Sequence, residues 1–192
     1  AIKALAPDIV VTEIKDDFFK PQHIPLLLKF AQHFDVVLVG MGLGKETQPF
    51  VKAFTEKYCK KFPKKPLVLD AEGVKFTNLY ILKNTILTPN QNEFQLLLTN
   101  CHLSEKTLHQ LLYNNVVLLK GQQDLIFTKE EIYSNRTGVP RMTVAGTGDI
   151  LAGLVAGFVA LTVKHGKQNK KKKFNFNLAQ AACAGAYLAG KI

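Results

Sequence analysis

Four apolar runs, each closing on glycine or on polar and charged residues, constrain this chain more than any other feature: Asp35-Val36-Val37-Leu38-Val39-Gly40, Leu67-Val68-Leu69-Asp70, Asn84-Thr85-Ile86-Leu87-Thr88 and Asn115-Val116-Val117-Leu118-Leu119-Lys120-Gly121. A run without polar alternation has no face to give to water, so strands of this kind are buried on both sides, as in a parallel sheet. Helical patterns lie between them. Glu46 to Phe62 carries Phe50, Phe54 and Tyr58 at intervals of four, the spacing of a core-facing stripe. Pro89 turns the third run into a helix through Leu98, and Thr107 to Tyr113 is helical. This alternation predicts an α/β fold, a three-layer α/β/α sandwich with a mainly parallel central sheet. Outside the four runs, Asp8 to Ile14 alternates and predicts a further strand, and Pro21 to Phe34 predicts a helix entered through its prolines. Asp124 to Phe127 and Glu131 to Tyr133 predict a hairpin, and Leu178 to Gly190 a last helix.

A chain of 192 residues, 47% hydrophobic and 21% charged, suits one globular domain with a sizeable core. The longest apolar stretch, Ile150 to Val163, falls short of the roughly 20 residues a bilayer crossing needs, so no membrane partner is expected. Cys59, Cys101 and Cys183 are odd in number and in no metal-ligand spacing, which favours free thiols in a reducing, cytoplasmic setting. The net charge of +10 looks like a nucleic-acid signal, yet six lysines fall within Lys164 to Lys173, and setting them aside leaves +4. That tract has no aromatic residues interleaved for base stacking and reads as a solvent-facing loop. No nucleic-acid partner is expected.

The chemistry concentrates in Val144-Ala145-Gly146-Thr147-Gly148-Asp149 and the apolar run that follows it to Phe158. Glycines at the start of a long helix leave backbone N–H groups open to an anion, and a phosphate is their natural guest. A carboxylate beside a phosphate is costly unless it acts, for example as the base for an attacking hydroxyl; the alternative is that Asp149 merely caps the helix. Asn90 and Glu93, three apart in a helix's first turn, fit either a capping pair or a Mg²⁺ held through water. Gly42 and Gly44, Asn90 and Glu93, Lys120 and Gly121, and Gly146 to Asp149 all follow strands or open helices, which places them on one edge of the sheet. Their convergence points to nucleotide binding and phosphoryl transfer.

With these motifs in their order, the sequence resembles the ribokinase-like fold and, within it, the ADP- or ATP-dependent NAD(P)H-hydrate dehydratases. The resemblance rests on Gly40-Met41-Gly42-Leu43-Gly44, Leu69-Asp70-Ala71-Glu72, Leu87-Thr88-Pro89-Asn90 with Glu93-Phe94, Leu119-Lys120-Gly121, and Asn135-Arg136-Thr137-Gly138 leading to Gly146-Thr147-Gly148-Asp149. It covers Asp8 to Gly190. Met41 stands where the family usually has Pro, and Ala145 where Gly is common. The resemblance implies a repair lyase that phosphorylates the hydroxyl of S-form hydrated NADH or NADPH and then eliminates phosphate. It implies Asp149 as base and Gly146, Thr147 and Gly148 as the anion hole. Nucleotide contacts fall on Lys120, Gly121, Gln122, Gln123, Asp124, Thr137, Gly138 and Gly148. Substrate contacts fall on Gly42, Gly44, Asn90, Glu93 and Asp149, with Mg²⁺ near Asn90 and Glu93 and ATP or ADP as donor. It also implies a single domain over 1–192 that lacks the family's N-terminal segment and the end of the last helix. Oligomeric state is left open, a homo-oligomer being compatible. Two rivals remain at this level: a vitamin-precursor kinase of the same fold, and a basic module whose lysine tract contacts RNA or acidic lipid.

Overall fold

The computed structural model describes residues 8–138, 146–168 and 177–191. Its sheet has six strands in sequential order: β1 (Val37–Val39), β2 (Leu67–Leu69), β3 (Thr85–Leu87), β4 (Val116–Leu119), β5 (Asp124–Phe127) and β6 (Ile132–Asn135). The first four pair in parallel, and β4–β5 and β5–β6 are antiparallel. The helices are α1 (Ile24–Ala31), α2 (Gln48–Lys61), α3 (Glu72–Lys75), α4 (Gln91–Asn100), α5 (His109–Leu112), α6 (Thr147–Gln168) and α7 (Leu178–Ala189).

Laying down parallel strands one after another in the same direction, with right-handed crossovers, puts every crossover helix on one face of the sheet. The packing follows that rule. Leu67, Leu69, Leu87, Val117 and Leu119 point into a core with Phe50, Phe54, Tyr58, Phe94, Leu97 and Leu112 from the crossover segments. The alternate residues Val68, Ile86, Val116 and Leu118 meet α6 and α7 through Leu151, Val155, Val159 and a set of alanines. Both faces of the central strands are therefore covered, giving the three layers. By length and composition the Thr147–Lys164 window of α6 would suffice to cross a membrane. In the fold it is a packing helix, with Leu151, Ala152, Val155, Ala156 and Val159 buried against sheet and α7.

Three expectations are corrected. Asp8 to Ile14 forms no strand: its alternation finds no neighbouring strand to complete a ladder, and Val10 is 92% exposed. The run at Val37–Val39 is only half-buried, because β1 is an edge of the sheet. The lysine tract does not begin as a loop, since α6 continues through Gln168; residues 169–176 lie outside the described residues.

Candidate active site

Each parallel strand delivers its next residue to the same rim. After β1 comes Gly40, whose φ of 142° and position against the neighbouring turn exclude any side chain: an added Cβ would stand 1.6 Å from the Asp70 carbonyl oxygen. After β2 comes Asp70, 2% exposed, in a turn closed by the Gly73 amide donating to the Asp70 carbonyl at 2.8 Å. Ala71 in that turn has φ 45°, a left-handed conformation uncommon for a residue with a Cβ. After β3 comes Thr88, fully buried, and after β4 comes Lys120, whose amide donates to the Pro89 carbonyl at 2.8 Å.

Side chains from three of these strands meet. Lys120 Nζ lies 2.7 Å from Asp70 Oδ1, and the Thr88 hydroxyl donates to the same oxygen at 2.8 Å. The Lys120 ammonium also reaches the first turn of α6, because a Cβ on Gly148 would come within 3.2 Å of Nζ. The rim therefore joins β2, β3, β4 and the N-terminus of α6 around one cation. First-turn N–H groups of a helix have no intrahelical acceptor. Gly146 enters the helix at φ 94°, and Ile150 is the first amide to reach back to it, at 3.1 Å. Asp149 is exposed in that first turn and makes no hydrogen bond or ion pair among the described residues, so its carboxylate is not spent on capping.

Asn90 and Glu93 form a reciprocal capping box at the start of α4. The Glu93 amide donates to Asn90 Oδ1 at 2.9 Å, and the Asn90 amide to Glu93 Oε2 at 3.0 Å. The other Glu93 oxygen faces Lys75 Nζ at 3.6 Å. Glu72, hydrogen-bonded to Lys75 at 3.0 Å, holds that ammonium above its ordinary pKa, and Glu93 adds to the effect. Direct ligation by Glu93 would compete with the Lys75 ammonium at Oε1 or with the cap at Oε2. Asn90 is exposed and keeps a second lone pair on Oδ1, so this pair fits a Mg²⁺ held through water rather than by contact. Among the described residues no group of three or more His, Cys, Asp or Glu is placed to hold a metal directly.

The remaining expected residues fall into two groups. Gly42 and Gly44, at φ 67° and 79°, shape the loop after β1, where Gly42 lines a recess of about 160 Å³ with Asp16, Asp17 and Phe18. Gln122 and Gln123 lie in the β4–β5 turn, where the Gly121 amide donates to Asp124 Oδ1 at 3.2 Å. Asn135 Nδ2 donates to Asp124 Oδ2 at 3.0 Å and to the Ala186 carbonyl of α7 at 3.1 Å. The Thr137 hydroxyl bonds Asn135 Oδ1 and approaches the Tyr187 carbonyl, which ties the strand leading to Gly138 onto the same helix. The segment 139–145, which links Gly138 to Gly146 in sequence and includes Ala145, lies outside the described residues. Asp70 and Thr88 are the members that sequence reasoning left without a role; the signals for them were their place at strand ends on the shared rim and their presence in the Leu69-Asp70-Ala71-Glu72 and Leu87-Thr88-Pro89-Asn90 motifs.

Comparison with known proteins bears on the fold and the family. A ribokinase-like superfamily protein from Enterococcus faecalis superposes with a TM-score of 0.73 at 23% identity, over 99% of this chain and 63% of that one. The chain is 35% identical to a bifunctional NAD(P)H-hydrate repair enzyme from Pyrobaculum aerophilum, over 84% of this chain and 34% of the relative. It is 31% identical to an ATP-dependent (S)-NAD(P)H-hydrate dehydratase from Drosophila melanogaster, over 100% of this chain and 63% of the relative. The chain thus spans less than two thirds of the length of these curated relatives. The profile of one family matches residues 1–192 throughout, and the chain belongs to that family, the NAD(P)H-hydrate dehydratases.

Proposed function

We propose that this chain carries the nucleotide-dependent dehydration of (S)-NAD(P)H hydrate to NAD(P)H. The observation that supports the reading most is the first turn of α6, where an unpartnered carboxylate, Asp149, stands beside glycine-opened N–H groups that the Lys120 ammonium approaches. Asp149 takes the proton of the substrate hydroxyl as its oxygen attacks the terminal phosphoryl of the nucleotide. The N–H groups around Gly146, Thr147 and Gly148 receive the charge that builds on the transferred group. The nucleotide leaves one phosphate shorter. The ring nitrogen's lone pair then expels phosphate by breaking the ring carbon–oxygen bond that the hydrate brought with it, the newly formed oxygen–phosphorus bond leaving intact in the phosphate, and loss of a proton from the adjacent carbon restores the reduced nicotinamide. The lone pair and the activated leaving group drive the second half, so few side chains are required.

Residues 120–124 with Thr137, Gly138 and Gly148 would hold the nucleotide, and Gly42, Gly44, Asn90 and Glu93 the dinucleotide substrate. Mg²⁺, held through water near Asn90, would supply charge neutralisation along the phosphates. ATP is the donor we favour, since the names of the Drosophila and Heterostelium pallidum relatives specify it. Three free thiols, two of them buried, suit a cytoplasmic setting. The test is incubation with hydrated NADH, Mg²⁺ and either ATP or ADP, following the return of the near-ultraviolet absorbance of reduced nicotinamide. Recovery with ATP and release of phosphate are expected. A stable phosphoester product would replace this reading with a kinase one.

A further inference from the structure

Asp70 and Thr88 belong to no contact that the proposed reaction uses, yet they form the most enclosed polar cluster at the rim. Asp70 has a side chain 3% exposed and carries a charge that would be costly to bury alone. Its Oδ1 accepts from both Lys120 Nζ at 2.7 Å and the Thr88 hydroxyl at 2.8 Å. The Thr88 hydroxyl has one proton and two acceptors in reach, the carboxylate and the Leu69 carbonyl at 3.3 Å; the shorter and charge-assisted bond holds it. With Thr88 fixing the carboxylate and the carboxylate fixing the ammonium, the four-carbon stem of Lys120 loses its usual freedom. Its head is held 3.2 Å from the space a Cβ on Gly148 would fill, so the glycine lets that ammonium lie close over the first turn of α6.

We infer that Asp70 is a positioning residue, seconded by Thr88, that holds the Lys120 ammonium against the α6 N-terminus as a preset cation for the phosphoryl group in transfer. The inference rests on the phosphoryl-transfer reading above. A lysine on a flexible stem placed by solvent alone would spend entropy on each turnover, whereas one placed by a buried carboxylate is already oriented. Lys120 also belongs to the residues proposed to hold the nucleotide, so what Asp70 adds is orientation, felt most where charge redistributes over the phosphoryl group in transfer.

The test measures kcat and nucleotide KM of the purified protein with hydrated NADH and ATP, for Asp70→Asn, Lys120→Met, the double variant, and Thr88→Val singly and with Lys120→Met. Asp70→Asn and Lys120→Met should each lower kcat by about 10- to 100-fold, with nucleotide KM changed by less than about threefold in Asp70→Asn, which leaves the Lys120 ammonium itself available to the nucleotide. Thr88→Val, which keeps both charges, should lower kcat by roughly three- to tenfold. In the Lys120→Met background neither Asp70→Asn nor Thr88→Val should lower kcat further, since a residue acting only through Lys120 has nothing left to position. A merely structural role would instead give multiplied losses, or losses that track the folded fraction on thermal melting, and either result overturns the inference. Should Asp70→Asn not fold, the Thr88 pair decides by the same criterion. Failure of wild-type protein to restore NADH would overturn the dehydratase reading itself, whereas active wild type with multiplied losses would overturn only the positioning.

Discussion

The two faces of the sheet are packed with different materials. The crossover face is filled by large side chains, with Phe19, Phe50, Phe54 and Tyr58 in ring contact along one line, at centroid spacings of 5.2, 5.5 and 5.7 Å, and Phe94 stacked on Phe127 at 5.5 Å. The opposite face mixes Leu151, Val155 and Val159 with many small residues: Ala152 and Ala156 on α6, and Ala179, Ala181, Ala182, Ala186 and Ala189 on α7. Large rings bury much apolar area per residue and carry stability, whereas small residues bury little but let helix axes come close. Gly185 shows how close: a Cβ there would stand 2.6 Å from Val155 Cγ2 and 3.1 Å from the Val155 backbone. The face packed with rings and the face that positions Asp149 are thus built differently. α6, with Asp149 at its first turn, is positioned by close backbone approach rather than by bulk.

The contrast can be broken in order of effect. Asp149→Asn should lower kcat by about 10²- to 10⁴-fold while moving stability by no more than about 1 kcal/mol, because the carboxylate is exposed and contributes only its favourable place at a helix N-terminus. Steady-state kinetics beside a thermal melt would show it, and an active variant would remove Asp149 from its role. Phe54→Ala, at a ring 2% exposed on the other face, should cost about 3–5 kcal/mol in urea unfolding, with kcat of the folded fraction unchanged. Gly185→Val should cost about 1–3 kcal/mol through overpacking and, unlike Phe54→Ala, should lower kcat of the folded fraction, because it pushes α6 away from α7. Equal kcat losses from the two would erase the distinction between faces.

The smallest effect is electrostatic. Asp16 sits in the segment that leads to Phe19, and its hydrogen bond to Lys20 holds its carboxyl below the ordinary range, with His23 adding to this. A carboxyl lowered in the folded chain favours folding above its unfolded pKa of about 4 and loses that contribution as pH falls through the lower folded value. Wild type should therefore shed slightly more stability than Asp16→Asn between pH 5 and pH 2 in parallel melts, on the order of that single titration. Coincident pH profiles would show the contact to be energetically silent, as exposed ion pairs often are.

Local patterns in the sequence carried much of this. The unbroken runs at Leu67–Leu69, Thr85–Leu87 and Val116–Leu119 became fully buried strands, and Asn-x-x-Glu at Asn90 became a capping box. Both are short-range properties, fixed within a few residues. Pairing partners and sheet order are not. Nothing local at Val37–Val39 distinguishes an edge strand from a central one, and nothing in the alternation of Asp8 to Ile14 reveals that no strand lies beside it. The Asp70–Lys120 contact spans 50 residues and exists only because β2 and β4 end on the same rim either side of Thr88. A motif reading finds each residue at its strand end and cannot see that two of them touch.

The reversal of direction after β4 has a practical side. Because β5 runs antiparallel to β4, the hairpin turn at Thr128–Glu131 opens at the end of the sheet away from Lys120 and Gly121. The turn is self-contained, the Thr128 hydroxyl accepting from the Glu131 amide at 2.9 Å and donating to the Glu131 carbonyl at 2.8 Å, with Lys129 and Glu130 exposed between them. A fluorophore or surface tether attached at Lys129 or Glu130 would be anchored to a rigid hairpin yet would leave the rim clear. It offers a handle from which movements around the rim could be watched without touching Lys120 or the first turn of α6.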